Sequence, residues 1–351
     1  MAKQTSPYDP STEGARTDFS DQMSYGDYLS LDAILTAQHP QSDAHDEMLF
    51  IVIHQVYELW FKQILHELDS VLKIFGKDDI HESKISLAVL RLDRVIEIQK
   101  ILIDQIRVLE TMTAMDFLEF RDYLFPSSGF QSAQFRLIEN KLGLPVNRRL
   151  KYGIQDYKNV LAIDQKKVVK ESEEANSLFR LIERWLERTP FLFFKGFNFW
   201  EQYTKSVLKM LDEEEIAIKN NPNHSTDDIE FHLKEHSKAS NSFEALINSE
   251  IHDKLISQQK KRLSHKATQA ALLIFLYRDE PILHSPFNLL SRLMTVDELF
   301  TTWRQRHSLM VRRMIGVKIG TGGSSGHSYL QATAEKHKIF LHVILSLCRT
   351  I

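Results

Sequence analysis

The chain has 351 residues, 43% of them hydrophobic and 26% charged, the proportions of an ordinary folded globular protein and not of a disordered or fibrous one. Its 44 Lys and Arg against 47 Asp and Glu leave a formal charge of -3, so no overall basic field exists to hold a nucleic-acid backbone or an anionic membrane. A single cysteine, Cys348, excludes an intramolecular disulfide and a four-cysteine zinc site, and a reducing, cytoplasmic setting is expected.

Residues 1–22 are polar, carry no apolar leader and are expected to form a flexible N-terminal arm. Everything from 23 to 351 reads as a single all-α domain, because glycine and proline are sparse and no run of alternating β-branched residues appears. From Leu49 the apolar residues Phe50, Ile53, Tyr57, Trp60, Ile64, Leu68 and Leu72 recur at three-and-four spacing, which predicts a helix over about 45–75. His54 lies on the stripe Phe50, His54, Tyr57 and Phe61, so its imidazole points inward. That is the position either of a core histidine satisfied by a carbonyl or of a functional one. The break Gly76-Lys77-Asp78-Asp79 precedes a second helical register from Ser83 to Leu109, and the two make a helical hairpin.

Further along, Phe117, Phe120, Arg121 and Leu124 share a face, which draws the Arg121 guanidinium toward apolar surroundings. Its counter-charge is either a protein carboxylate or a substrate carboxylate held by two hydrogen bonds. Helical periodicity returns at Leu178–Leu186 and Phe197–Leu211. Residues 212–262 then become polar, from Asp212-Glu213-Glu214-Glu215 to Lys260-Lys261-Arg262, and are expected to be a helical insertion in the domain. His232 and His236 stand four apart within it, but without the His-Glu-x-x-His order of a zinc protease they read as part of a solvated helix. The longest apolar run, Ala270–Tyr277, is far short of a membrane span.

The last helical stretches are Val296–Ile315 and Tyr329–Leu347. In the first, Trp303, His307, Met310, Val311 and Met314 share a face, while Arg304, Arg306, Arg312 and Arg313 fall mostly on the others. Those arginines either form a solvated face or meet acidic groups of a ligand. Two inward histidines on separate helices suit a helical bundle in which one neutral imidazole holds a haem iron and leaves the opposite side open for dioxygen. Five of the twelve glycines crowd into Gly316–Gly326, giving a loop rich in exposed backbone N–H and hydroxyl groups. It either receives ligand polar groups or is a plain flexible loop, and it lacks the Gly-Lys-Ser/Thr ending of a phosphate loop.

In sequence order, several motifs resemble those of the tryptophan 2,3-dioxygenase family: Tyr25-Gly-Asp-Tyr28-Leu29, His45-Asp-Glu-Met-Leu-Phe-Ile, His54-Gln-Val-Tyr-Glu-Leu-Trp-Phe-Lys-Gln63, Phe120-Arg-Asp-Tyr-Leu and Ser128-Gly-Phe-Gln-Ser132. Later come Trp185-Leu-Glu-Arg-Thr-Pro190, Tyr277-Arg-Asp-Glu-Pro281, the Trp303–Gly316 helix and Gly320-Thr-Gly-Gly-Ser-Ser-Gly326. The resemblance implies a haem-binding helical bundle that opens the indole ring of L-tryptophan with O2 to give N-formylkynurenine, the first step of tryptophan catabolism by the kynurenine pathway. It implies one haem b per subunit, active as Fe2+, with His307 as the axial iron ligand, Trp303 on the proximal side, and Ser128 and Gly129 lining the distal pocket against the cofactor and substrate.

It further implies that His54 is the distal histidine near the indole N–H and that Arg121 clamps the substrate carboxylate. Thr321 would meet the ammonium and carboxylate end, and Phe50, Phe117 and Leu124 would pack the indole. Tyr25, Tyr28 and Leu29 would come from a neighbouring subunit of a homotetramer with exchanged N-terminal segments. Trp185, Arg188 and Pro190 resemble part of a second tryptophan-binding surface. His327 and Ser328 depart from the family's usual residues after the glycine loop.

Overall fold

A computed structural model of the chain describes residues 13–14, 22–150, 157–188, 193–194, 197–316, 318–320 and 326–340. In chain order the helices are α1 (Tyr25–Leu29), α2 (Leu31–Leu35), α3 (His45–Phe75), α4 (Glu82–Leu109), α5 (Ala114–Phe120), α6 (Ala133–Leu142) and α7 (Ile163–Glu174). Then follow α8 (Leu178–Glu187), α9 (Phe199–Lys219), α10 (Thr226–Ile247), α11 (Ser249–Ser257), α12 (His265–Leu276), α13 (Pro281–Ile315) and α14 (His327–Lys336). The fold is all-α. One antiparallel ribbon interrupts the helices, Phe193–Phe194 against Phe197–Asn198, too short for any alternation to announce it. No helix of the described residues is long and apolar enough to cross a membrane.

The frame is α3, α4 and α13 packed lengthwise, with α14 on α13 and with α6 and α8 on α3. Of the stripe that predicts α3, Ile53, Ile64 and Leu68 are buried and Phe50, Tyr57, Trp60 and Leu72 are half-buried, while Phe61, Val71 and Phe75 are buried beside them. Each fully buried aliphatic side chain of this kind contributes about 1.5–3 kcal/mol relative to exposure. Glu47 closes the N-terminal end of α3 by accepting backbone N–H groups of Gln41 and Ser42, both at 2.8 Å. Those donors outweigh burial and lower its pKa.

Helix α13 begins at Pro281, well before the periodic stretch from Val296, and runs through Pro286. That proline sits near the start of the helix, where the one lost backbone bond is tolerated, and its side chain is buried. At the other end α14 stops at Lys336, short of the expected helix to Leu347. Asp297 on α13 accepts the backbone N–H groups of Ile339 and Phe340 at 2.9–3.0 Å, which fixes that segment outside a helix. Residues 341–347 lie outside the described residues.

The polar stretch from Asp212 occupies the end of α9, then α10 and α11. Its tip is exposed, but Phe243 and Leu246 of α10 are buried in the main core together with Val207 and Leu211 of α9.

The hydrophobic interior is divided. A large cluster runs along α3, α4, α8, α12 and α13, and a smaller one gathers Ile106, Leu109, Met112, Phe120, Met310 and Met314.

Candidate active site

Between the two clusters lies a cavity of about 320 Å³, walled by Phe61 and Phe135 on the side of the large one, by Ile106, Met112 and Met310 from the small one, and by Tyr57, which packs against both. His54 of α3 and His307 of α13 both line it, as do Phe50, Phe117, Arg121, Ser128, Gly129 and Trp303. Eight residues singled out in the sequence therefore converge on one space, although they come from three helices and two short turns.

His54 Nδ1 lies 2.7 Å from the Phe50 carbonyl one turn back on α3. A carbonyl only accepts, so the Nδ1 carries the hydrogen and Nε2 holds the lone pair. The ring is reachable by water through the cavity, yet protein encloses it on its other sides, and that enclosure lowers its pKa despite the Phe50 bond and the charge of Glu58. Phe50 packs at 4.1 Å from the His54 ring and at 5.8 Å from Phe117, forming an aromatic wall.

His307 is stacked on Trp303, with ring centroids 5.4 Å apart and planes within 6°. Burial pushes it down to about 4, and any charge on His54 would add to the effect; with His54 also lowered, both imidazoles are neutral near pH 7. Neither His307 ring nitrogen has a hydrogen-bond partner among the described residues, which leaves a lone pair available as a ligand. Tyr57 donates to the Leu102 carbonyl at 2.6 Å and, raised by burial to about 12, remains a neutral donor.

Arg121 stands where α5 gives way to a 3-10 turn, Arg121–Leu124. Helix α5 is started by Thr113, which caps Asp116 N and receives the Asp116 carboxylate on its own N–H. The Arg121 guanidinium donates to the Ile319 carbonyl at 2.6 Å, and among the described residues its buried Nε has no partner and the nearest carboxylate, Asp122, is 3.9 Å away and largely exposed. No protein carboxylate among the described residues occupies it closely. Ser128 and Gly129 open another short turn, capped by the Ser128 hydroxyl and the Gln131 side chain.

Other positions fall elsewhere. Leu124 packs against the smaller cluster but does not line the cavity. Tyr25 and Tyr28 project into solvent from α1, 76% and 75% exposed, with Leu29 beside them half-buried. Thr321 lies outside the described residues, as do Pro190 and most of residues 1–22. Trp185 packs edge-on against Phe75, and the Arg188 guanidinium donates to the Asp78 carbonyl. His327 is bound to Ser308, one residue beyond His307: its Nδ1 lies 2.8 Å from the Ser308 hydroxyl, which ties α14 to α13.

The site also contains a group that periodicity did not reveal. Arg304, expected among the solvated arginines, is buried and donates to Glu139 at 3.0 Å. Glu139 also accepts from Arg136 at 3.0 Å and lies 3.6 Å from Arg149 and 3.4 Å from His337 Nδ1. Burial pushes the Glu139 carboxyl up, but the three guanidiniums and His337 outweigh it and hold it well below the usual carboxylate range. Of the remaining three arginines, Arg306 pairs with Glu110 and only Arg312 and Arg313 are exposed. His232 and His236 lie far from the cavity in α10, and no group of three metal-binding side chains occurs among the described residues.

The sequence matches the family described as Tryptophan 2,3-dioxygenase over residues 10–346. A protein named tryptophan 2,3-dioxygenase from Bdellovibrio bacteriovorus is 50% identical over 321 residues, covering 90% of this chain and 89% of that protein. Proteins of the same name from Dictyostelium discoideum and Xenopus laevis are each 47% identical, over 323 and 340 residues. They cover 90% and 95% of this chain, and 81% and 83% of their own lengths.

Proposed function

The chain belongs to the tryptophan 2,3-dioxygenase family, and from that premise we propose how its cavity performs the reaction. The enzyme cleaves the indole C2=C3 bond of L-tryptophan with O2 to give N-formylkynurenine, the opening step of tryptophan catabolism. The observation that carries our reading of the site is the pair of neutral histidines on opposite helices of one apolar cavity.

The residues present fit a haem b. His307 supplies an uncharged imidazole with no hydrogen bond among the described residues, and its stack on Trp303 fixes the ring plane. When bound, ferrous haem supplies the redox chemistry that makes dioxygen reactive toward the indole. His54 holds its proton on Nδ1 and offers the Nε2 lone pair to the indole N–H, which orients the ring without requiring His54 to act as an obligatory base. Phe50 and Phe117 pack the indole, with Leu124 behind them, while Ser128 and Gly129 line the side where O2 must fit.

Arg121 takes the substrate carboxylate. A guanidinium tethered by one carbonyl, with no carboxylate closer than 3.9 Å among the described residues, keeps donors for a two-point contact. The same tether brings Arg121 to Ile319, two residues before Thr321, which meets the ammonium and carboxylate end. Tyr25, Tyr28 and Leu29 are supplied by a neighbouring subunit of a homotetramer, and the exposure of both tyrosines supports that reading. We assign the enzyme to the cytoplasm.

The deciding experiment is a spectrum of haem-reconstituted, dithionite-reduced protein taken before and after L-tryptophan and air are added. A five-coordinate haem spectrum followed by growth of the formylkynurenine band, both lost in His307→Ala, is the expected result. A haem spectrum unchanged in that variant overturns His307 as the ligand.

A further inference from the structure

A second cavity lies apart from the one the histidines line. It measures about 480 Å³ and lies between the segment after α6, the loop from α11 to α12 and the end of α14. Among the described residues, six cations line it (Arg148, Arg149, Lys260, Lys261, Arg262 and Lys336), and Glu335 is the one carboxylate in its wall. In a chain of net charge -3 this is not a reflection of composition.

Its arginines are held in place chiefly by carbonyl oxygens. Arg148 donates to the Gln259 carbonyl at 2.9 Å, with Gln259 in the left-handed region at φ 59°. Arg262 donates to Gly143 at 2.7 Å and to Ile339 at 3.0 Å, and lies over the Phe179 ring at 3.9 Å. Those contacts fix direction, and neither guanidinium forms an ion pair among the described residues, with Glu183 and Asp297 acting on Arg262 only from beyond ion-pair distance. Arg149, nearly fully buried, has two guanidinium nitrogens without a hydrogen bond among the described residues, and Glu139, 3.6 Å away, is shared with two other arginines.

The three lysines have no carboxylate partner among the described residues. Burial lowers the Lys261 amine, and burial together with the charge of Arg148 depresses Arg262 to about 10 against the opposing pull of Asp297 and Glu183. Like charges gathered in a concave, partly desolvated space repel one another, and an anion relieves that repulsion. The volume falls in the range of small-molecule sites and exceeds what a bare ion fills.

We propose that this basic cavity binds a small organic polyanion through its carboxylate or phosphate groups, at a site separate from the dioxygenase cavity. The test is isothermal titration calorimetry of the full chain at low ionic strength with citrate, ATP and inorganic phosphate as the probes. Citrate tests a polycarboxylate and ATP a polyphosphate.

One of the two is expected to bind once per chain. Binding should weaken about tenfold or more in Lys261→Gln/Lys336→Gln and with added salt, and should persist in Arg121→Ala. If the double variant loses its cooperative melting transition, Lys336→Gln on the exposed side of α14 is read instead. The absence of binding by both organic probes, affinity unchanged in the variant, loss of binding in Arg121→Ala, or phosphate binding as tightly as either organic anion would overturn the proposal.

Discussion

A neutral histidine has one ring proton, and where it sits decides what the residue can do. The Phe50 carbonyl fixes the His54 proton on Nδ1, so the nitrogen left over is an acceptor only while the ring stays uncharged. Because enclosure lowers the His54 pKa, the acid limb of kcat/KM is expected below the ordinary value of 6.5. His54→Ala should remove that limb and reduce turnover about tenfold without abolishing it, the loss of one orienting hydrogen bond; complete inactivity with haem intact would contradict it. Arg121→Ala should raise KM about 10- to 100-fold, from the loss of a charge-assisted contact. Steady-state kinetics separates these, since an unchanged KM removes Arg121 from the clamp.

Glu139 makes a different prediction, one of stability. Its carboxylate compensates three buried guanidiniums, so Glu139→Gln should cost about 3–5 kcal/mol in urea unfolding. Because the folded-state pKa is depressed, its stabilisation is complete above 4.5 and is lost as pH falls through the lower folded value. His54 and His307 were legible in the sequence because each shares a helical stripe with apolar neighbours. Glu139 was not, because its partners Arg136, Arg149, Arg304 and His337 come from separate segments, and only Arg136 lies within one helical turn. No local spacing encodes a partner nearly two hundred residues away.

At the scale of elements, helices with strong apolar periodicity were readable almost to their ends, as with α3 and α4. Boundaries set by tertiary contacts were not. The backbone N–H groups of Ile339 and Phe340 go to Asp297, forty-odd residues earlier, and that ends α14 where the sequence pattern continues. Gly143 is a boundary with two independent reasons. It ends α6 at φ +107°, and a Cβ there would lie 2.7 Å from the Phe179 Cβ at the start of α8. Gly143→Ala is therefore expected to destabilise by about 1–3 kcal/mol. Thermal denaturation measures it, and a melting temperature equal to the wild type would show that α8 yields freely.

For the whole molecule, the exposed tyrosines of α1 give a test by complementation. If Tyr28 acts in a neighbour's cavity, co-assembled Tyr28→Ala and His307→Ala chains contain sites in which a Tyr28→Ala subunit with intact His307 receives an intact Tyr28. Each variant alone should be nearly inactive, and the mixed assembly should recover activity. No recovery would mean that Tyr28 serves its own chain. The divided interior has its own consequence, in local opening. Small clusters bury less apolar surface than large ones, so the amides of α5 should exchange with deuterium at a lower opening free energy than those in the middle of α4. Any molecule bound between the clusters touches both and adds its binding energy only when both are closed. It therefore turns two units that open separately into one, and α5 and α4 should then approach a common exchange rate.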